Sequence, residues 1–193
     1  MIIERKTNIP ANCREIFLAG GCFWGVEKYF SKVRGVAAVS VGYANCNSPN
    51  NNCNSPSNNC THASPTYEEV CTGATGCAET AHIIYNPEEL PLSRLLDLFM
   101  QAIDPTSLNQ QGGDIGEQYR TGIYYLDEAD LPEIRAAIER EQREWKEKIV
   151  VETLPLQNYF LAEEYHQEYL KKNPAGYCHI GDDLCNKAWG NLT

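Results

Sequence analysis

The stretch Ile16-Phe17-Leu18-Ala19-Gly20-Gly21-Cys22-Phe23-Trp24-Gly25 runs from an apolar segment through a glycine pair to one cysteine and two large aromatics. Residues 15–19 read as a strand. Phe23, Val26, Phe30 and Val33 recur at helical spacing and predict an amphipathic helix over 23–33. Cys22 therefore falls at or near a helix N-terminus, where unpaired amides and the positive end of the helix dipole favour a thiolate. The glycines let a substrate approach the backbone closely. Two readings of Cys22 stand side by side on these residues: an accessible nucleophile, or a small core residue in a Gly-rich turn. A phosphate cradle fits less well, because the lysine and Ser or Thr of a P-loop are missing.

Outward from this stretch, the pattern predicts strands at 36–43, 78–86 and 120–126 and a short one at 150–154. It predicts helices at 67–72, 92–103, 130–147 and 162–172, a loop at 104–118, and an irregular tail after Pro174. Leu92, Leu95, Leu96, Phe99 and Ile103 form one helical stripe, and Leu131, Ile134, Ile138 and Trp145 another. Strands interleaved with amphipathic helices predict a layered domain of α and β elements. At 193 residues one domain is the default.

A formal net charge of −10 argues against a nucleic-acid or anionic-membrane footprint. No apolar run reaches spanning length, and Glu4, Arg5, Lys6, Arg14 and Glu15 break up the N-terminal segment, so a cytoplasmic protein is expected. Nine cysteines, an odd number, argue against a closed disulfide framework. Cys13 and Cys71 read as structural. Residues 45–65 carry a seven-residue Asn/Ser/Pro/Cys repeat with Cys46, Cys53 and Cys60, followed by His62. With few apolar residues to offset its ordering entropy, this segment reads as a polar insertion loop with incidental thiols. The wide cysteine spacing disfavours a zinc site, and no metal is expected.

Several ordered motifs resemble the peptide methionine sulfoxide reductases of the A type. They are Gly21-Cys22-Phe23-Trp24-Gly25, Pro65-Thr66-Tyr67-Glu68-Glu69-Val70-Cys71, Thr75-Gly76-Cys77-Ala78-Glu79, and the run from Asp104-Pro105-Thr106 to Asp114-Ile115-Gly116-Glu117-Gln118-Tyr119-Arg120. Near the C-terminus come Ala162-Glu163-Glu164-Tyr165-His166-Gln167 and Asn173-Pro174-Ala175-Gly176-Tyr177-Cys178. The resemblance implies an α+β two-layer sandwich, with a mixed sheet, a ferredoxin-like core and an irregular, mobile tail over 174–193. The implied activity is reduction of methionine S-sulfoxide, free or in proteins; that chemistry needs no cofactor, and a monomer is expected.

In that reading Cys22 attacks the sulfoxide sulfur and becomes a sulfenic acid. Glu79, kept neutral by burial, supplies the proton. Tyr67 and Tyr119 hydrogen-bond the sulfoxide oxygen, Asp114 orients the substrate, and Phe23 and Trp24 seat its methyl group. His166 is a supporting residue. Cys178 resolves the sulfenic acid as a disulfide, and Cys185 passes that disulfide to thioredoxin or a similar dithiol reductant. Where the family usually has His, this chain has Cys77, which shares a strand face with Glu79 and is either a packing group or an alternative resolving thiol. A thiol peroxidase or disulfide oxidoreductase lacks the expected close Cys-x-x-Cys pair and leaves Glu79, Tyr67 and Tyr119 without a role. A non-catalytic redox or metal sensor built on the cysteine repeat is the reading from another class.

Overall fold

The computed structural model describes residues 1–47 and 64–190. Most of the repeat loop, including Cys53, Cys60 and His62, lies outside the described residues. In chain order the strands are β1 (Ile2–Ile3), β2 (Arg14–Gly20), β3 (Val36–Ala44), β4 (Ala78–Tyr85), β5 (Gln110–Gln111), β6 (Asp114–Ile115), β7 (Thr121–Tyr125), β8 (Glu152–Pro155) and β9 (Asn158–Leu161). The helices are α1 (Phe23–Phe30), α2 (Tyr67–Cys71), α3 (Leu92–Ala102), α4 (Leu131–Gln142), α5 (Tyr169–Lys172) and α6 (Asp182–Gly190).

Seven strands form one mixed sheet in the order β1-β9-β3-β4-β2-β7-β8, and β5 and β6 make a separate small hairpin. The inner pairings are antiparallel, while β1 with β9 and β7 with β8 are parallel. β2 lies between β4 and β7 and is buried on both faces, which explains its unbroken apolar run. Its side chains alternate: Ile16 and Leu18 join Val26, Phe30, Leu95, Phe99 and Ile134 under the helices, while Phe17 and Ala19 pack with Tyr124, Leu156 and Tyr159 on the other face. Each such fully buried large side chain contributes about 1.5–3 kcal/mol.

Three regions differ from the sequence reading. The expected helix over 162–172 is instead a chain of turns, with only Tyr169–Lys172 helical and Glu168 in the left-handed region at φ 52°. The Gln167 side chain replaces helical bonding here: it accepts from Val41 N at 3.0 Å and donates to Val41 O at 2.8 Å and Ala162 O at 2.9 Å. The tail is not irregular, since α6 packs on α1. Trp189 Nε1 donates to Tyr29 O at 2.9 Å, Lys28 pairs with Asp182 at 2.6 Å, and Cys185 and Ala188 enter the main core. Finally, Cys46 and Cys77 are joined as a disulfide, so Cys46 is not incidental and Cys77 is not a spare thiol. The bridge packs beside Phe23 and Val70. Cys71, read from the sequence as structural, is exposed.

Candidate active site

β2 ends at Gly20, and the chain turns through Gly21 at φ 80°, a conformation suited to glycine. A Cβ at Gly21 would also stand 2.5 Å from Gln111 Cβ. Cys22 occupies the N-cap position of α1, with the Trp24 and Gly25 amides directed at its sulfur. The thiol is only 8% exposed. Burial, the Glu79 carboxyl and Asp114 push its pKa well above the ordinary thiol value, against the pull of those two amides. The lowered pKa expected from helix position alone is thus corrected: desolvation and neighbouring acid groups outweigh the helix N-terminus.

Glu79 on β4 is 1% exposed and accepts a hydrogen bond from Phe23 N, through Oε2, at 3.0 Å. Burial raises its pKa to about 8, with Asp114 adding to the rise and the Phe23 amide opposing it. A neutral carboxyl beside a neutral thiol is therefore the resting state near pH 7.

Tyr67 begins α2, whose N-terminus is closed by a reciprocal capping box between Thr66 and Glu69. Tyr119 ends the helical turn Glu117–Tyr119 just after β6, and Asp114 starts β6. Both tyrosine hydroxyls are raised by burial and by Glu79, and Tyr119 also feels Cys22 and Asp114. Asp114 Oδ2 is buried without a hydrogen-bond partner among the described residues. The five residues Cys22, Glu79, Tyr67, Tyr119 and Asp114, far apart in the sequence, thus share one electrostatic neighbourhood.

The two aromatics after Cys22 have different surroundings. Phe23 is a core residue packed against Val41, Tyr43 and Phe160. Trp24 is partly buried, stacks on Tyr169 at 3.7 Å between ring centroids, and donates from Nε1 to His166 Nδ1 at 3.1 Å. His166 lies 4.5 Å from the Tyr67 ring, between centroids, and is 1% exposed. Burial lowers its pKa, and its Nδ1 is an acceptor, so the proton sits on Nε2, which has no partner among the described residues.

Two carboxylates to which the sequence reading gave no role fix this wall. Glu163 accepts from Tyr67 N at 3.0 Å and from the Tyr43 hydroxyl at 2.8 Å. Glu27 on α1 accepts from Glu168 N at 2.9 Å, and burial raises its pKa to about 7. Glu27 falls one helical turn after Phe23, so the spacing put it on the inward face; Glu163 had only its place in a family-like segment.

Cys178 is half-buried and donates to Ile180 O at 3.1 Å, whereas Cys185 is fully buried at 0% exposure. A Cβ at Gly25 would lie 3.4 Å from Cys178 Sγ. The first tail thiol is therefore beside the Cys22 loop, and the second is inside the core.

The family model of peptide methionine sulfoxide reductase matches residues 14–189. Peptide methionine sulfoxide reductase MsrA of Lachnoclostridium phytofermentans is 51% identical over 168 residues, covering 87% of this chain and 93% of that protein. Among solved structures, reduced Mxr1 from Saccharomyces cerevisiae has a TM-score of 0.82 at 38% identity, covering 93% of this chain and 97% of that one. Mxr1 in complex with Trx2 has a TM-score of 0.57 at 28% identity, covering 87% and 92%. With its thiol and buried acid held in one site, the chain belongs to the peptide methionine sulfoxide reductase family, as an enzyme of the MsrA type.

Proposed function

We propose that this reductase acts on the S epimer of methionine sulfoxide through a Cys22 sulfenic acid, which Cys178 resolves and a dithiol reductant of the thioredoxin class clears. The observation that carries the reading is the buried, protonated Glu79 carboxyl held by the amide that follows Cys22. The methyl group of the substrate sits against Trp24 and Phe23, and its oxygen faces Glu79, Tyr67 and Tyr119. Glu79 gives its proton to that oxygen, which makes the sulfur electrophilic. The Glu79 carboxylate left behind takes the Cys22 proton as the sulfur attacks, so a free thiolate need not form first. Sulfur attack then transfers the oxygen: Cys22–SH and the sulfoxide become Cys22–SOH and the thioether, with Cys22 oxidised by two electrons. Asp114, with its unpartnered oxygen, accepts a donor from the substrate.

Recycling by thioredoxin is supported by the Mxr1 relative crystallised with Trx2. The position of Cys178 over Gly25 supports its role as resolver. Cys185, if it receives the disulfide from Cys178, does so after local opening of α6, since it is fully buried. Free Cys13, Cys22, Cys71, Cys178 and Cys185 favour a reducing, cytoplasmic setting, and the Cys46–Cys77 bond pulls the other way. The test is mass spectrometry of reduced protein treated with one equivalent of the S-sulfoxide: a Cys22–Cys178 linkage in the native chain, and a trapped Cys22 sulfenic acid in Cys178→Ser, are expected. An unmodified Cys22 alongside methionine formation would refute the assignment.

A further inference from the structure

His179 follows the resolving cysteine, and its side chain lies against the nucleophile loop. A Cβ at Gly25 would meet His179 Cε1 at 2.8 Å and Nδ1 at 2.9 Å, and one at Gly21 would meet His179 Nε2 at 3.4 Å. The imidazole therefore covers the backbone on both sides of Cys22. Cys178 Sγ shares the space above Gly25 with it, 3.4 Å from the same Cβ position. Gly25 in turn directs its amide at Cys22 sulfur. Ring, resolving thiol and nucleophile thus meet around one glycine.

Both ring nitrogens of His179 are buried, and among the described residues neither has a well-formed hydrogen bond, the Gly20 carbonyl being the one backbone group that acts on the ring. Such orphaned nitrogens are uncommon in a folded protein and call for an explanation. Burial lowers the imidazole pKa, and the Gly20 carbonyl, which draws on the ring N–H, partly offsets this, so the neutral ring keeps its other nitrogen as an unpartnered acceptor. The segment is held in place by Tyr177, whose hydroxyl oxygen accepts from Gly113 N at 3.1 Å, and by Ile180 in the core.

Cys178 needs a base. Burial raises its pKa, and its proton is donated to the Ile180 carbonyl, which cannot remove it. The charged groups that act on Cys178 are Lys28 and Asp182, and these are paired with each other at 2.6 Å. We propose that His179 is the acid–base group of the resolving step: it takes the proton from Cys178 as that sulfur attacks the Cys22 sulfenic acid, and delivers a proton to the departing hydroxyl. The Cys178 S–H and Cys22 S–O bonds break, the S–S bond forms, and water leaves; no further oxidant or reductant enters. This role rests on the assignment of Cys22 and Cys178 made above.

The test is a rapid-quench single turnover of the reduced full chain with the S-sulfoxide. It follows methionine release and Cys22–Cys178 linkage separately in native protein, His179→Gln and His179→Ala. The ratio of linkage rate to methionine-release rate is expected to fall at least about 10²-fold in both variants, the low end for loss of an acid–base group. A cyclic-dione probe should capture the accumulating Cys22 sulfenic acid. Added imidazole should restore linkage in His179→Ala. Native-like ratios in both variants would overturn the proposal. So would slowed linkage that imidazole leaves unchanged, because that pattern belongs to a ring that only packs the tail. If native protein releases methionine yet forms no Cys22–Cys178 bond, the underlying assignment fails instead, and this role with it.

Discussion

The Phe23 backbone amide donates to Glu79 Oε2 at 3.0 Å, so the first residue of α1 ties the helix that presents Cys22 to the carboxyl on β4. One hydrogen bond thereby sets the separation of nucleophile and proton donor. The same bond favours the carboxylate, and the carboxyl stays protonated near neutrality because burial outweighs it.

Glu79→Gln retains the shape and can still accept from Phe23, but has no proton to give. The rate of methionine release in a single turnover is expected to fall by about 10²–10⁴-fold. In the native enzyme that rate should decline as pH rises through about 8, because the folded carboxyl titrates there and only its acid form donates. For stability the sign is the same: with a folded pKa raised from 4.5 to about 8, the contribution is fully present below 4.5 and is lost as pH rises through 8. Stopped-flow rates and denaturant melts across that range check both.

Trp24→Ala removes the stack on Tyr169 and the hydrogen bond to His166. Its partly exposed face is the apolar seat in this account, so KM for the sulfoxide should rise by at least about tenfold, with a smaller change in kcat. Steady-state kinetics with a saturating dithiol reductant separates the two; an unchanged KM would remove Trp24 from the methyl seat.

Fold and site were legible in the sequence where local pattern and burial agree. The apolar run of β2 and the stripe of α3 read correctly because residue period and burial point the same way. Segment 162–168 did not, since it is held by the side chains of Gln167, Glu163 and Glu27 reaching elements more than 90 residues distant in sequence, a constraint that no local window contains. Helix α6 was missed because Pro174, Gly176 and Gly181 precede it, although Asp182 and Asp183 at its start and Leu184, Cys185, Ala188 and Trp189 along one side are a short amphipathic pattern. The protonation state of Cys22 was not legible either, because it depends on Glu79 and Asp114, brought close only by folding.

The Cys46–Cys77 bridge closes a separation of 31 residues between the end of β3 and the start of β4, two residues before Glu79. Cys77→Ala should lower stability of oxidised protein by about 2–4 kcal/mol. Under a reductant strong enough to open the bond in the native chain, the difference should shrink. Urea melts of both proteins with and without reductant measure it; equal oxidised midpoints would show that the bridge adds nothing.

Glu15 receives Arg5 through two hydrogen bonds of 2.9 and 2.6 Å and lies 2.8 Å from His82 Nε2. Burial works against the carboxylate, yet these partners win and lower its pKa from 4.5 to about 2. Its contribution to stability is present above pH 4.5 and is lost as pH falls through about 2. Glu15→Gln should therefore flatten that part of the acid unfolding profile, read by circular dichroism.

The most direct measurement is turnover of the two separated epimers of a methionine sulfoxide derivative with dithiothreitol, by native protein and by Cys22→Ser. Turnover of the S epimer alone, abolished in Cys22→Ser, is the predicted result. Turnover that survives in a folded Cys22→Ser protein would contradict the account at its centre, because it would place the chemistry on another residue.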